Sequence, residues 1–395
     1  MITVRHLPLS GSDAPDSSPV SEQPSQEQLD ELRGEVRAFL NDCVAEGVFT
    51  PAVDCWLTGW DPDFSRMLAE QGWLGMTIPV ELGGHGRGFV ERFVVTEELL
   101  AVGAPVAAHW IADRQAAPTF VRFGTDAQKA RFLPAITAGE LFWAIGMSES
   151  ESGSDLASVR TKATRVENGW QISGTKLWTS GAHLAHGFFA LARTEPVDPA
   201  NRHAGLSQFI VMLDSPGVEI SPIITMGGDH HFNEVRLDGV FVPDDLVLGT
   251  IGDGWHQVTS ELGFERSGPE RFMSTFGVLA SACDEISAGR LPADPSVGQL
   301  TARMFGLHQL SRNVATTLSH GEDADVEAAV VKMLGTRTEG DIVDLFDLMI
   351  DDSDAASADF RREVDVGVTQ RPGFTLRGGT TEVLRGVIAR GLGMR

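Results

Sequence analysis

Tyrosine is absent from the 395 residues, although 21 phenylalanines and 8 tryptophans are present, and the composition offers no physical reason for it. Cysteine is scarce. Cys43, Cys55 and Cys283 are the three, with no metal-ligand spacing among them, so a disulfide framework and a cysteine-rich metal cluster are excluded. Such a sparse, odd set fits a reducing cytoplasm, the expected location. No apolar run is long enough to cross a bilayer. Basic residues are few, 31 Lys and Arg against 55 Asp and Glu, which gives a net charge of −24. That balance argues against nucleic-acid backbones and anionic membranes as partners. It leaves room for a phosphate-bearing small ligand held by local donors. No G-x-S-x-G elbow appears, which argues against a hydrolase of that type. Residues 1–26 are rich in Ser, Pro, Asp and Gln and lack the basic start and apolar core of a signal peptide. They read as a flexible tail.

What is present is a long, ordinarily hydrophobic chain whose texture changes twice. At this length two or three domains are expected. Leu29, Leu32, Val36, Phe39 and Leu40 recur at helical spacing, as do Phe64, Met67, Leu68 and Trp73, so 27–74 reads as helical. Pro79 and a glycine run make 73–88 a loop, and two or three further helices fit 89–139. Short alternating runs broken by Gly, Pro and Asp then follow, among them the turn signal Asn168-Gly169. Helical spacing returns from 254, with breaks near 289–296 and 351–357. The expected domains are a helical unit over 27–140, a β-domain over 141–250 and a second helical unit over 251–395. Helices, then strands, then helices point to an α+β fold and not to an alternating parallel sheet.

At the start of the β-domain an apolar run, Leu141 to Met147, leads into "SESESGSD" (148–155). This glycine-punctuated turn is either plain surface or a place where backbone N–H groups and hydroxyls meet a phosphate-bearing cofactor.

Five stretches decide how the chain is read further: "GWLGMTIPVELGGHG" (72–86), "MSESESGSDLASVRTKA" (147–163), "NGWQISGTKLWTSGAHLAHGFFALART" (168–194), "FNEVRLDGVFVPDDLVLG" (232–249) and "GGTTEVLRGVIARGLG" (378–393). In this order they resemble the acyl-CoA dehydrogenase family over roughly 60–395. The resemblance implies an N-terminal helical domain, a middle β-domain and a C-terminal four-helix bundle. It also implies FAD, an acyl-CoA thioester and oxidation of the Cα–Cβ bond. For FAD it points to Met147 and Ser148 at the ring edge, Gly153 and Ser154 near the pyrophosphate, Trp178 against the ring, Ser180 near N5, and Thr380 and Glu382 towards the adenosine. Trp178 is otherwise a core strand residue. Where the family has threonine and proline this chain has Ser148 and Ser150.

The reaction needs a carboxylate base at Cα and donors at the thioester oxygen, where charge develops. Many family members place the glutamate just before the glycine of the C-terminal motif, and here that position is Gly378, whose N–H still suits the thioester oxygen. A branch of the family instead carries a Glu-Arg pair on a helix of the C-terminal domain, and "ELGFERSGPER" supplies Glu265 and Arg266. Glu265 is the expected base, with Glu261 and Glu270 as alternatives. Arg266 and Arg377 are expected at the substrate, Arg377 either binding a polar group there or pairing with Glu265. The missing side chain at 378 leaves space for a bulky or branched acyl group. Ser267-Gly268-Pro269-Glu270 fits a capping box that would end or kink the helix after Glu265.

Two family stretches that reach a neighbouring subunit's FAD are missing. Residues 287–306 and 351–366 stand in their places and are unlike them. This pattern is similar to actinobacterial enzymes of steroid side-chain breakdown built as α2β2 tetramers of unlike subunits. The expected assemblies are therefore that heterotetramer or a homotetramer, passing electrons to an electron-transfer-flavoprotein-like acceptor. A non-catalytic partner subunit, or a flavin oxidase or monooxygenase of the same fold, are the other readings.

Overall fold

The computed structural model describes residues 24–266, 268–351 and 355–394, and for 262–265 the helix but not the side chains. Most of the expected flexible tail and Ser267 lie outside the described residues. The N-terminal unit holds α1 (Gln26–Ala45), α2 (Cys55–Thr58), α3 (Pro62–Glu70), α4 (Phe89–Ala101), α5 (Ala107–Ile111), α6 (Ala117–Phe123) and α7 (Asp126–Thr137). A Ser25–Gln28 capping box starts α1, which buries Leu29, Leu32, Val36, Leu40 and Cys43 along one face. The helical reading of 27–74 is corrected in its middle. Gly47 and Asp54 adopt left-handed backbone, the one-turn α2 follows, and α3 starts at Pro62, capped by Asp61. Between α5 and α6 one turn, Ala112–Ala116, widens to a π-helix that carries Asp113, Arg114 and Gln115 inward.

Eight strands form one sheet: β1 (Trp143–Gly146), β2 (Lys162–Val166), β3 (Gly169–Lys176), β4 (Gly187–Arg193), β5 (Leu206–Met212), β6 (Val218–Ile223), β7 (Phe232–Pro243) and β8 (Val247–Leu248). The order is β6-β7-β3-β2-β4-β5-β8, with β1 beside β4. Asn168, in left-handed backbone, turns β2 into β3. Most pairs are antiparallel, but β1 runs parallel to β4. β4 is buried on both faces, which explains why it reads as the continuous apolar run GFFALAR.

The C-terminal helices are α8 (Gly254–Arg266), α9 (Phe276–Ser287), α10 (Pro295–Ser319), α11 (Asp325–Asp351), α12 (Ala358–Phe374) and α13 (Thr381–Gly391). The expected restart at Pro269 is only a 3-10 turn, Pro269–Arg271, without a side-chain cap. α8 does end just after Glu265, at Arg266, while the capping box expected at 267–270 rests on Ser267, which lies outside the described residues; the Glu270 carboxylate ion-pairs with the buried guanidinium of Arg114 at 3.1 Å. One hydrophobic core joins α1–α4 with the C-terminal helices, and a second joins the sheet with α6 and α7.

Candidate active site

The turn after β1 is organised by one carboxylate. Glu149 accepts from the N–H groups of Arg160 (2.7 Å) and Thr161 (2.9 Å), from the Thr161 hydroxyl (2.5 Å) and from Lys176 Nζ (2.8 Å). Burial pushes this carboxyl up, but Lys176 and the hydrogen bonds outweigh it and hold it below the usual range. Lys176 is fully buried, and burial lowers its pKa to about 8. Its Nζ also donates to the Met147 carbonyl at 3.2 Å. The Ser148 carbonyl accepts from Leu177 N–H at 2.9 Å. Met147 and Ser148 are thus tied to the end of β3. Gly153 and Ser154 lie exposed at the tip, and a Cβ on Gly153 would meet nothing within 4 Å. No protein contact demands that glycine.

Two residues past β3 stands Trp178, 54% exposed and in left-handed backbone, φ 61°. Such a conformation costs a bulky residue about 1–3 kcal/mol and persists only where neighbours enforce it. They do: Leu177 is bonded to Ser148, and Thr179 N–H donates to the Asn233 carbonyl at 3.0 Å. The indole meets Phe232 edge-on at 5.6 Å. Ser180 follows, half-buried. The result is an open aromatic face with Ser180 two residues on and Ser148 tied to the adjacent Leu177. A planar ring needs such a platform.

The C-terminal motif forms a second centre. Gly378 and Gly379 both have positive φ, 68° and 96°. Their carbonyls point to buried cations. Arg266 Nε, at the end of α8, donates to Gly378 O at 3.0 Å. Lys332 Nζ, on α11, donates to Gly379 O at 2.6 Å and Thr375 O at 3.2 Å. Among the described residues no hydrogen bond is made by the N–H of Gly378 or Gly379. Arg377 ion-pairs with fully buried Asp54, at 2.8 and 3.1 Å, and lies over the Trp56 ring at 4.7 Å. Thr380 caps α13, accepting from Val383 N–H at 3.4 Å, and Glu382 is exposed in its first turn. Glu261 and Glu270 are both buried. Glu265 lies on α8 directly before Arg266, and its side chain is outside the described residues.

Residues 26–140 match the acyl-CoA dehydrogenase N-terminal domain, and residues 144–240 match the acyl-CoA dehydrogenase middle domain. The chain belongs to the acyl-CoA dehydrogenase family. It is therefore an oxidoreductase of a family that binds FAD. The acyl-CoA dehydrogenase FadE34 of Mycobacterium tuberculosis is 36% identical over 82% of this chain and 45% of its own length. This chain thus spans less than half of that relative. The acyl-CoA dehydrogenase FadE29 of the same organism is 33% identical over 82% of this chain and 86% of its own. Among solved structures, one described as "Tcur3481-Tcur3483 steroid ACAD" is 29% identical, with a TM-score of 0.82, covering 96% of this chain and 100% of that one. The ChsE4-ChsE5 complex of Mycobacterium tuberculosis is 26% identical, with a TM-score of 0.76, covering 96% and 100%. No helix among the described residues is long and apolar enough to cross a membrane.

The residues present fit a flavin. An exposed indole in enforced backbone and hydroxyl-bearing residues at 148 and 180 supply a flat face and hydrogen-bonding groups. Sequence reasoning missed Asp54, Lys332 and the Glu149–Lys176 pair. For Lys332 a signal existed. It follows Ala328 by four residues and precedes Gly335 and Glu339, so it lies on the stripe that α11 buries.

Proposed function

We propose that this chain dehydrogenates an acyl-CoA thioester across Cα–Cβ, with Glu265 removing the α-proton and the Gly378 N–H holding the thioester oxygen. The observation that carries the reading is the hydrogen bond from Arg266 to the Gly378 carbonyl. It ties the helix turn that bears Glu265 to the glycine that would polarise the thioester, although 112 residues separate them. With the carbonyls of 375, 378 and 379 committed to Arg266 and Lys332, the loop is held by its acceptors and its donors remain for a ligand. An N–H fixed in advance at a developing oxyanion needs no reorganisation as charge grows there. The carboxylate of Glu265, desolvated by a bound acyl chain, gains basicity as its pKa rises.

FAD supplies the acceptor for the hydride leaving Cβ. Trp178, Ser148 and Ser180 would hold its ring, with Met147 at its edge, Gly153 and Ser154 at the pyrophosphate, and Thr380 and Glu382 towards the adenosine. Arg266 acts in this reading by placing Gly378, and Arg377 by anchoring the same loop to Asp54. The absence of a side chain at 378 favours a bulky or branched acyl group, in keeping with the steroid enzyme among the structural neighbours.

Two neighbours carry two protein names each, which favours a heteromer, with this chain as one of two unlike subunits. The decisive experiment is Glu265→Gln in the assembled, flavin-loaded enzyme. Turnover should fall by roughly 10²–10⁴-fold, the usual worth of a general base, with the flavin spectrum unchanged. Persistence of turnover would make this chain the non-catalytic partner. Fast reoxidation of the reduced enzyme by O₂, in place of transfer to a flavoprotein acceptor, would mark it as an oxidase.

A further inference from the structure

Trp178 stands at a break in the β-ladder. Lys176 on β3 pairs with Val235 on β7. Beyond β3 the chain still runs beside β7, with Thr179 N–H donating to the Asn233 carbonyl at 3.0 Å and Gly181 N–H to the His231 carbonyl at 2.8 Å. Leu177 and Trp178 therefore oppose Glu234 alone, the two-against-one count of a β-bulge. Where such a bulge needs a left-handed residue, glycine usually supplies it. Here Trp178 does, at φ 61°, and its indole is the one left exposed.

A bulge disturbs the ladder's own hydrogen bonds. Among the described residues no backbone N–H reaches the Thr179 carbonyl. The side chain of Asn233 does, its Nδ2 donating to that carbonyl at 3.0 Å. Asn233 therefore holds both backbone groups of Thr179, the residue between Trp178 and Ser180, and Asn233 and Thr179 are both fully buried. With Nδ2 on the carbonyl, Oδ1 is left to accept, and His230 Nε2 donates to it at 2.9 Å. The His230 ring is in turn stacked on His183, at 3.9 Å between centroids. We propose that Asn233 is a positioning residue for the flavin, its amide clamping Thr179 so that Trp178 and Ser180 are presented to the ring together, with His230 fixing which way round the amide lies. The inference rests on the reading of Trp178 as the face that meets the flavin.

The test follows FAD on the assembled protein, by its dissociation constant and its visible circular dichroism, beside the melting temperature of the flavin-free protein. Asn233→Asp keeps the size of the side chain but turns an acceptor towards the Thr179 carbonyl. It should weaken FAD by about 10-fold, the upper worth of one neutral hydrogen bond, and alter the flavin's dichroism. Trp178→Gly should weaken FAD as well. In that background Asn233→Asp should weaken it further by no more than about 2-fold, since only Ser180 is left to place. Equal weakening in both backgrounds, alongside a lowered melting temperature, would make Asn233 a prop of the fold and overturn the proposal. Wild-type affinity and dichroism in Asn233→Asp would overturn it too. Unchanged FAD in Trp178→Gly would instead remove the reading of Trp178, and this proposal with it. Should Asn233→Asp fail to fold, His230→Phe decides, because it keeps a ring on His183 but cannot donate. It should weaken FAD by about 3-fold, and unchanged FAD would overturn the proposal.

Discussion

Glu339 offers a sharp test of how the C-terminal core is balanced. It lies on α11, 1% exposed, and accepts the Ser274 N–H at 2.8 Å. Burial raises its pKa from 4.5 to about 7, although the Ser274 hydrogen bond and the Arg377 charge both pull it down. The folded state therefore favours the protonated acid. The sign follows. The stabilisation is fully present below the unfolded value of 4.5, declines as pH rises, and is lost above about 7. At about 1.4 kcal/mol per pH unit the loss is on the order of 3 kcal/mol. Glu339→Gln keeps an oxygen for the Ser274 N–H, resembles the neutral acid in shape and does not titrate. Urea unfolding of both proteins at pH 5, 6, 7 and 8 should show them within about 1 kcal/mol of each other at pH 5. The variant should be more stable by up to about 3 kcal/mol at pH 8. Other titrating groups cancel in the difference. Parallel stability curves across that range would refute the reasoning, because Glu339 would then be ionised in the fold at no cost.

Two more substitutions probe the loop and the helix end. Lys332→Met strips a charged donor from the carbonyls of Thr375 and Gly379. It should destabilise by about 2–4 kcal/mol and lower kcat more than it raises KM, since the Gly378 N–H loses its fixed position. Stability loss with unchanged kcat would separate the loop from the chemistry. Gly268 has φ −91°, so alanine meets no backbone strain there, but its Cβ would collide with the Glu270 carboxylate and the Arg114 guanidinium. Gly268→Ala should cost about 1–3 kcal/mol as overpacking. A neutral result in thermal unfolding would mean that the ion pair has room to move.

The order of helices, strands and helices was legible because it rests on local periodicity, whereas the alternation of Lys176-Leu177-Trp178 reads Trp178 as a core strand residue and the structure leaves it past β3 and exposed. The Glu270–Arg114 pair was not legible, because its partners lie 156 residues apart and the guanidinium sits on a π-turn. Arg377 was equally illegible in detail. Nothing near it in sequence points to Asp54. The helical reading of 27–74 holds for its two periodic runs, α1 and α3, but did not place the break at Gly47 and Asp54, since spacing records which residues face inward and not whether the chain between them stays helical. Two buried residues on α11, Lys332 and Glu339, read as ordinary helix surface by type. Only their place on the apolar stripe marks them.

The Asp54–Arg377 pair spans 323 residues. On a ribosome working at about 5–20 residues per second, Arg377 emerges roughly 15–65 s after Asp54. Once α7 has emerged the N-terminal helices can collapse, yet their carboxylate at 54 still lacks the Arg377 counterion and stays hydrated. Trp56 waits in the same way for Ser274, 218 residues on. The carboxylate is buried only once the C-terminal motif arrives. Closure around Asp54 therefore waits for the C-terminal motif, and a translation product interrupted before Arg377 carries an N-terminal unit that cannot fully close.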